Sequence, residues 1–488
     1  MLGLHFLNFK MLNSNYDLVV VGTGFASSFF LKKYLSKASA TVKVLVLERG
    51  HLYPHSERLK ERRGEKTEYS SLNPLAKDAV YTNNEEKEWH FSIGFGGGSN
   101  CWYGCTPRFL PSDFKMRSLY GVANDWPVQY DDLEQYYSEV EELMSISGPS
   151  DTPYNRSKPY PQPPHFFTAV DKKIKETYGN QYINQPTARS RVPMNGRGVC
   201  CASAVCSVCP ANAKFTIENS NLHVYEDPRV QLVMGAAVHS LELVQNVARK
   251  VNFEKGGTEH SVAGEVIALG ANPFFNANIL LNSGDSNPNT GKGVGEQLGL
   301  QALVYLDDMQ SLGGSTWVNA NGYMLYDGQH RKEYAACLME SSNDTFFRPE
   351  SGKWRNLASF RMIFEDLPDH ENHISLTEDR MKPKINFKGP SQYTLKGIEA
   401  MKEKLPKVLS CLPVEKIIFK DHYPSEAHIL GATRMSNSAE DGVVDKLLTH
   451  HQYRNLFVLG SGSFTTYTPA NPTLTLSALS MYAADKSF

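Results

Sequence analysis

The chain has 488 residues, of which 41% are hydrophobic, 21% charged and 11% aromatic, with a formal net charge of -2. That length exceeds one ordinary hydrophobic core and implies two domains or more. The balanced charge excludes a surface built for nucleic acid or an anionic membrane, and the longest apolar runs, DLVVVG and ILLNSG, are far shorter than a transmembrane segment requires.

The opening stretch MLGLHFLNFKMLNSN is weakly apolar and lacks the features of a secretory leader. Met11 is an alternative start, because the first predicted strand begins only at Asp17. This reading places the protein in the cytoplasm, where thiols stay reduced, with export on a partner's signal as the alternative.

DLVVVGTGFASSFF, residues 17–30, predicts a buried parallel strand, a glycine turn and a helix. Gly22 permits the tight turn, and Gly24 lets the backbone approach a pyrophosphate at the helix N-terminus. The third position of the fingerprint is Ser27, a small residue where glycine is usual. A second strand, VKVLVLERG at 42–50, ends in Glu48. An acid there accepts hydrogen bonds from ribose hydroxyls and repels a 2′-phosphate. The unit therefore predicts an adenine dinucleotide other than NADP, and leaves FAD and NAD undecided.

Residues 94–109, GFGGGSNCWYGCTPRF, let the backbone pass close to a flat ring or a phosphate. The Pro-rich SKPYPQPPHF at 157–166 reads as a connection between units. Further on, GVCCASAVCSVCPANAK puts Cys200, Cys201, Cys206 and Cys209 into ten residues. No second Cys-x2-Cys knuckle completes a zinc site, and a reducing compartment disfavours disulfides. Closely spaced thiolates with a following proline suit an iron–sulfur cluster; the alternative is reduced packing thiols. EVIALGANPFFNANILLNSG (265–284) and NLFVLGSG (455–462) each read as a buried strand leading into a glycine turn. LTLSALSMYAAD, after PANPT, reads as an amphipathic helix. The segments 356–368 and 372–387 alternate like strands and fit an antiparallel sheet over the cofactor.

The series GFGGGSNCWYGC, NDWPVQYDDLEQYYSEVEELMSISG, EVIALGANPFFNANILLNSG, AHILGATRMS and the final NLFVLGSGSFTTYTPANPTLTLSALSMYAAD resembles the glucose–methanol–choline (GMC) FAD oxidoreductases from about Asp17 to Asp485. Within that family it is most similar to the pyranose oxidase and sugar dehydrogenase branch. The resemblance implies an α/β fold, a Rossmann-like FAD domain (14–150, 195–300 and 425–488) interleaved with an α+β substrate domain on an antiparallel sheet (150–195 and 300–425). It implies FAD contacts at Gly22, Gly24, Ser27 and Glu48, and at Gly97, Gly98, Ser99, Asn100, Cys101 and Trp102. Val238, Gly270, Gly462, Ser463, Asn471, Pro472 and Thr473 complete the set.

By motif match, His428 in AHILGATRM takes the family's base position and Asn471 in PANPT the second polar position, 43 residues later. The implied reaction is oxidation of an alcohol, a sugar or polyol hydroxyl, to a carbonyl, with hydride going to flavin N5. A non-redox lyase of the same fold and an oxidase for a non-sugar alcohol are the alternatives. His422, His450 and His451 fall outside the motifs and read as surface. Cys101 stands where pyranose oxidase carries a flavin-linked histidine, and reads as a small residue beside a non-covalent flavin, with a thioether as the alternative. The cysteine segment resembles that of FAD-dependent glucose dehydrogenases with a three-iron cluster. This implies a [3Fe-4S] centre on Cys200, Cys201 and Cys206, with Cys209 as an alternate ligand, and a small subunit or cytochrome as electron acceptor.

Overall fold

The computed structural model describes residues 12–488 apart from 14, 70, 195, 344–345 and 424. Residues 1–11 of the opening stretch, including Met11, lie outside the described residues. Asn15–Val21 is the central strand of a seven-stranded sheet, paired in parallel with Val44–Glu48 on one side and Thr258–Leu269 on the other. Val230–Met234 extends the sheet beyond Val44–Glu48, and Leu456–Val458 pairs in parallel with the end of Thr258–Leu269. Leu18, Val19, Val20 and the run Val44–Leu47 are buried, as strands covered on both faces must be. Ala237–Val244 and Val247–Lys255 add an antiparallel extension along the start of Thr258–Leu269.

The helix Phe25–Lys37 packs on the final helix, Thr473–Ser487, which also packs on Tyr130–Met144. The final helix is buried nearly all round rather than amphipathic. Its small polar residues tolerate this because Ser477 and Ser480 donate to Thr473 O (2.8 Å) and Leu476 O (2.7 Å) one turn back.

A second, six-stranded antiparallel sheet runs in the order Val414–His422, Leu298–Leu306, Leu357–Phe364, Cys337–Ser342, Val318–Gly322, Tyr182–Asn184. Side chains alternate across it. Cys337, Met339, Phe360 and Met362 enter a core shared with the helix Gln392–Val408, while Glu340, Ser342 and Arg361 line a cavity on the other face. The segment 356–368 thus supplies a strand of this sheet, but 372–387 does not. That segment is broken by a turn at 377–382, so only His373–Ser375 and Lys384–Asn386 are extended, and they pair with each other and with Tyr81–Thr82 in a separate three-stranded sheet.

Candidate active site

The carboxyl ends of the parallel strands open into a cavity of about 780 Å³. Gly22 ends the first strand with φ of 89°, and a Cβ there would stand 2.6 Å from Gly270 O, so no other residue fits without strain. Gly24 begins the helix Phe25–Lys37. No side chain caps this helix, no acid lies in its first turn, and nothing lies within 4 Å of where a Gly24 Cβ would be. Unpartnered helix N–H groups facing open space are what a pyrophosphate requires. Glu48, at the end of its strand, accepts from Thr23 N (3.0 Å), Thr23 Oγ1 (2.7 Å) and Gly50 N (2.9 Å). It braces the glycine turn while lining the cavity. These features fit an adenine dinucleotide.

Gly97, Gly98, Cys101, Trp102, Val238, Gly270, Pro472 and Thr473 also line the cavity. Five of the sequence-derived contacts do not, each for a local reason. Ser27 faces the sheet, where its hydroxyl donates to Val21 O (3.3 Å) and occupies the space left by the missing side chain of Gly270. Ser99 Oγ accepts from Ile217 N (3.1 Å), and Asn100 Nδ2 donates to Phe95 O (2.9 Å), so both stitch the glycine-rich loop from behind. Gly462 packs on Thr433, and Ser463 Oγ donates to Gly460 O (2.8 Å). Gly460 and Ser461, two residues earlier, reach the cavity instead.

His428 and Asn471 line the same cavity. His428 N donates to Glu296 Oε1 (2.8 Å), and its Nδ1 meets Gln297 Oε1. Burial, reinforced by the positive charge of Arg361, pushes the imidazole down to about 3, so the ring is neutral with one nitrogen unprotonated. Asn471 is buried with no partner for Oδ1, and its amide interacts with the Glu340 carboxyl.

The sheet above brings in residues that sequence reasoning missed. Glu340 and Arg361 are register partners on adjacent strands. Arg361 pairs with Glu426 through Nε (3.1 Å) and Nη2 (2.9 Å), and its guanidinium lies 3.8 Å over the ring of Tyr423. Burial pushes both Glu340 and Glu426 up to about 7 against the pull of Arg361. Gly299 makes room for this pair, since a Cβ there would overlap Glu426 Oε1. Tyr103 and Trp317, ring centroids 4.4 Å apart, also stand at this end. A charged residue inside an apolar strand, as in SFRMIF, was the available signal.

Cys101 is exposed on the cavity wall; desolvation by the surrounding protein pushes its thiol up, with Lys214 pulling the other way, and a thiol held protonated is a poor nucleophile. The cysteine segment does not converge. Cys200 Sγ donates to Ser315 O (3.0 Å), Cys206 Sγ accepts from Arg189 Nη1 (2.6 Å), Cys209 Sγ accepts from Ala213 N (3.4 Å), and Cys201 is exposed. No group of three His, Cys, Asp or Glu side chains able to hold a metal occurs among the described residues. The expected iron–sulfur ligand set is therefore not supported, because Cys200, Cys206 and Cys209 are turned to separate partners and Cys201 is exposed.

Of the histidines read as surface, His422 is exposed. His450 instead is fully buried, its Nε2 3.4 Å from Asp285 Oδ2 and its Nδ1 accepting from Gln452 N (3.2 Å). His451, half-buried, meets Ser436 Oγ at 3.0 Å. Among the described residues no helix is long and apolar enough to cross a membrane.

A parallel sheet with glycine turns at its strand ends faces an antiparallel sheet across one cavity, an arrangement that fits a dinucleotide cofactor. Residues 396–480 match the family described as GMC oxidoreductase. The chain is 25% identical to the fructose dehydrogenase large subunit of Gluconobacter japonicus, over 96% of this chain and 97% of that one. It is 22% identical to the 2-methyl-1,2-propanediol dehydrogenase of Mycolicibacterium austroafricanum, over 96% and 94% of the two chains. The crystal structure of pyridoxine 4-oxidase from Mesorbium loti superposes with a TM-score of 0.67 at 14% identity, covering 97% of this chain and 99% of that one. Over residues 396–480 the chain is similar to the GMC oxidoreductases.

Proposed function

We propose that the protein oxidises a hydroxyl of a sugar or polyol to a carbonyl. The observation that carries this reading is the presence of His428 and Asn471 on the wall of one cavity whose other end fits a dinucleotide. Bound FAD supplies the hydride acceptor, N5 of the flavin ring. His428, neutral in its buried setting, accepts the hydroxyl proton. Asn471 hydrogen-bonds the same oxygen and steadies negative charge as it develops there. Glu340 and the Arg361–Glu426 pair offer further polar contacts, which suits a substrate with several hydroxyls better than an aliphatic alcohol.

The likeness to a fructose dehydrogenase large subunit supports a sugar substrate and a dehydrogenase that passes electrons to a partner subunit or carrier. Neither role draws on the cysteine segment. The test is anaerobic addition of a panel of sugars, polyols and simple alcohols to the purified flavoprotein. Bleaching of the flavin by sugars or polyols is the expected result. A chain that binds no flavin, or a flavin that no alcohol bleaches, would overturn the reading.

A further inference from the structure

His428 sits in a loop with little secondary structure of its own, and what holds it comes from residues 293–297. Gly295 and Leu430 form an antiparallel bridge, with Gly295 N donating to Leu430 O (3.0 Å) and Leu430 N to Gly295 O (2.9 Å). Two residues on along one segment and two back along the other, antiparallel pairing sets Gln297 opposite His428. Glu296 fastens the backbone there, accepting from His428 N (2.8 Å) and Ser425 Oγ (2.9 Å). Gln297 itself is buried, with 4% exposure.

The orientation of the Gln297 amide is forced. Its Nε2 donates to two carbonyl oxygens, Thr468 O at 2.6 Å and Ala470 O at 2.9 Å. Carbonyls can only accept, so flipping the amide would set three oxygens against one another. Oε1 must therefore face His428 Nδ1, and since that oxygen also only accepts, Nδ1 must carry the ring proton. Nε2 is left with the lone pair. The same side chain is bonded to the residue immediately before Asn471.

We infer that Gln297 is a positioning residue for the reaction: it fixes His428 in the Nδ1–H tautomer, so that Nε2 is the proton-accepting atom, and ties that ring to the strand of chain carrying Asn471. The inference rests on the reading of His428 as the base. Its logic is that of any general base whose second nitrogen is held by a fixed acceptor. The charged groups around the ring are Arg361 and Glu426, Glu296 beneath the backbone, and Glu340 beside Asn471. The partner of Nδ1 is Gln297 rather than any of these, so the tautomer is left to Gln297.

The test uses the FAD-loaded protein with nitrogen-15-labelled histidine, the His428 resonances being assigned by their loss in His428→Ala. Wild type should show a protonated Nδ1 and an unprotonated Nε2. Gln297→Leu, close in volume but without acceptor or donors, should show a mixture of tautomers. Its kcat should fall about 10- to 100-fold, the usual cost of losing a residue that orients a functional histidine. Gln297→Glu keeps an acceptor at Nδ1, while its other oxygen, facing two carbonyls, holds the carboxyl protonated so that it donates there as the amide does. It should retain the Nδ1–H tautomer and more of kcat than Gln297→Leu. A merely structural role would lower activity in both variants while leaving the tautomer where it was. An Nε2–H ring in the wild type, or an unchanged Nδ1–H ring in Gln297→Leu, would overturn the inference. Because the tautomer is read from nitrogen shifts, it stands or falls separately from turnover. A fully active His428→Ala would instead remove the base itself.

Discussion

The cavity has one wall made of backbone and another made of side chains. On the parallel-sheet wall, Gly22, Gly24, Gly97 and Gly98 line the cavity with backbone and no side chain. On the antiparallel-sheet wall, Glu340, Arg361 and Glu426 project as a buried charged cluster. A flat, charged cofactor needs close approach and fixed dipoles, which short-range turn geometry provides. A small polar substrate needs hydrogen-bonding partners at chosen points, which a sheet provides by aiming alternate side chains from separate strands. The first wall is specified locally, and the second by which strands become neighbours.

That contrast can be broken where the two walls meet and sharpened within each. The largest effect should follow His428→Ala. It should keep its flavin spectrum while turnover falls by about 10³-fold or more, within the range for a general base. Near-normal turnover in a flavin-loaded variant would remove the assignment. Arg361→Leu takes away the cation that acts on both buried carboxyls, Glu340 and Glu426. Breaking a buried pair by deleting one partner costs about 3–5 kcal/mol, which should appear as a marked drop in Tm with FAD still bound. Asn471→Ala should lower kcat by about 10²-fold, as for loss of one donor to a developing oxyanion, and less than the histidine change.

Gly22→Ala tests the backbone wall. Its φ of 89° and the close approach to Gly270 O should cost about 1–3 kcal/mol and weaken FAD retention more than turnover per bound flavin, as read by flavin release on dilution. The smallest effect concerns pH. Glu340, ordinarily near 4.5, is raised to about 7 chiefly by burial. The folded state therefore holds a proton that the unfolded chain gives up, and stability contributed by this group falls as pH rises from about 4.5 to 7. Glu340→Gln should raise Tm at pH 8 by an amount corresponding to about 1–3 kcal/mol and leave it nearly unchanged at pH 4. An equal gain at both values would mean that the carboxyl is not buried as described.

How far each region was legible follows from the same contrast. Gly22, Gly24 and Glu48 stand in one strand–turn–helix–strand unit, where spacing alone carries the meaning. Even there, Ser99 and Asn100 were read as facing the cofactor and instead stitch the loop from behind, because a run of small residues does not show which of them turns inward. At the last glycine turn the cavity takes Gly460 and Ser461 rather than Gly462 and Ser463, a shift of two residues that only the turn's path decides. Gln297 carried no signal, since its role exists only once residues 293–297 lie against 428–431. His450 looked like a surface residue because its partner, Asp285, lies far away in the chain. The four clustered cysteines looked like one site because they are close in sequence, yet three are turned to different neighbours and Cys201 is exposed.

The sequence by itself determined the α/β class, the dinucleotide-binding turn and the family pattern, because these depend on hydrophobic periodicity and glycine spacing over a few residues. The tertiary structure alone decided which groups surround His428, how the Gln297 amide is turned and where the charged cluster of the second sheet falls. Those depend on contacts between segments far apart in the chain, whose pairing is set by packing of the whole and leaves no local trace.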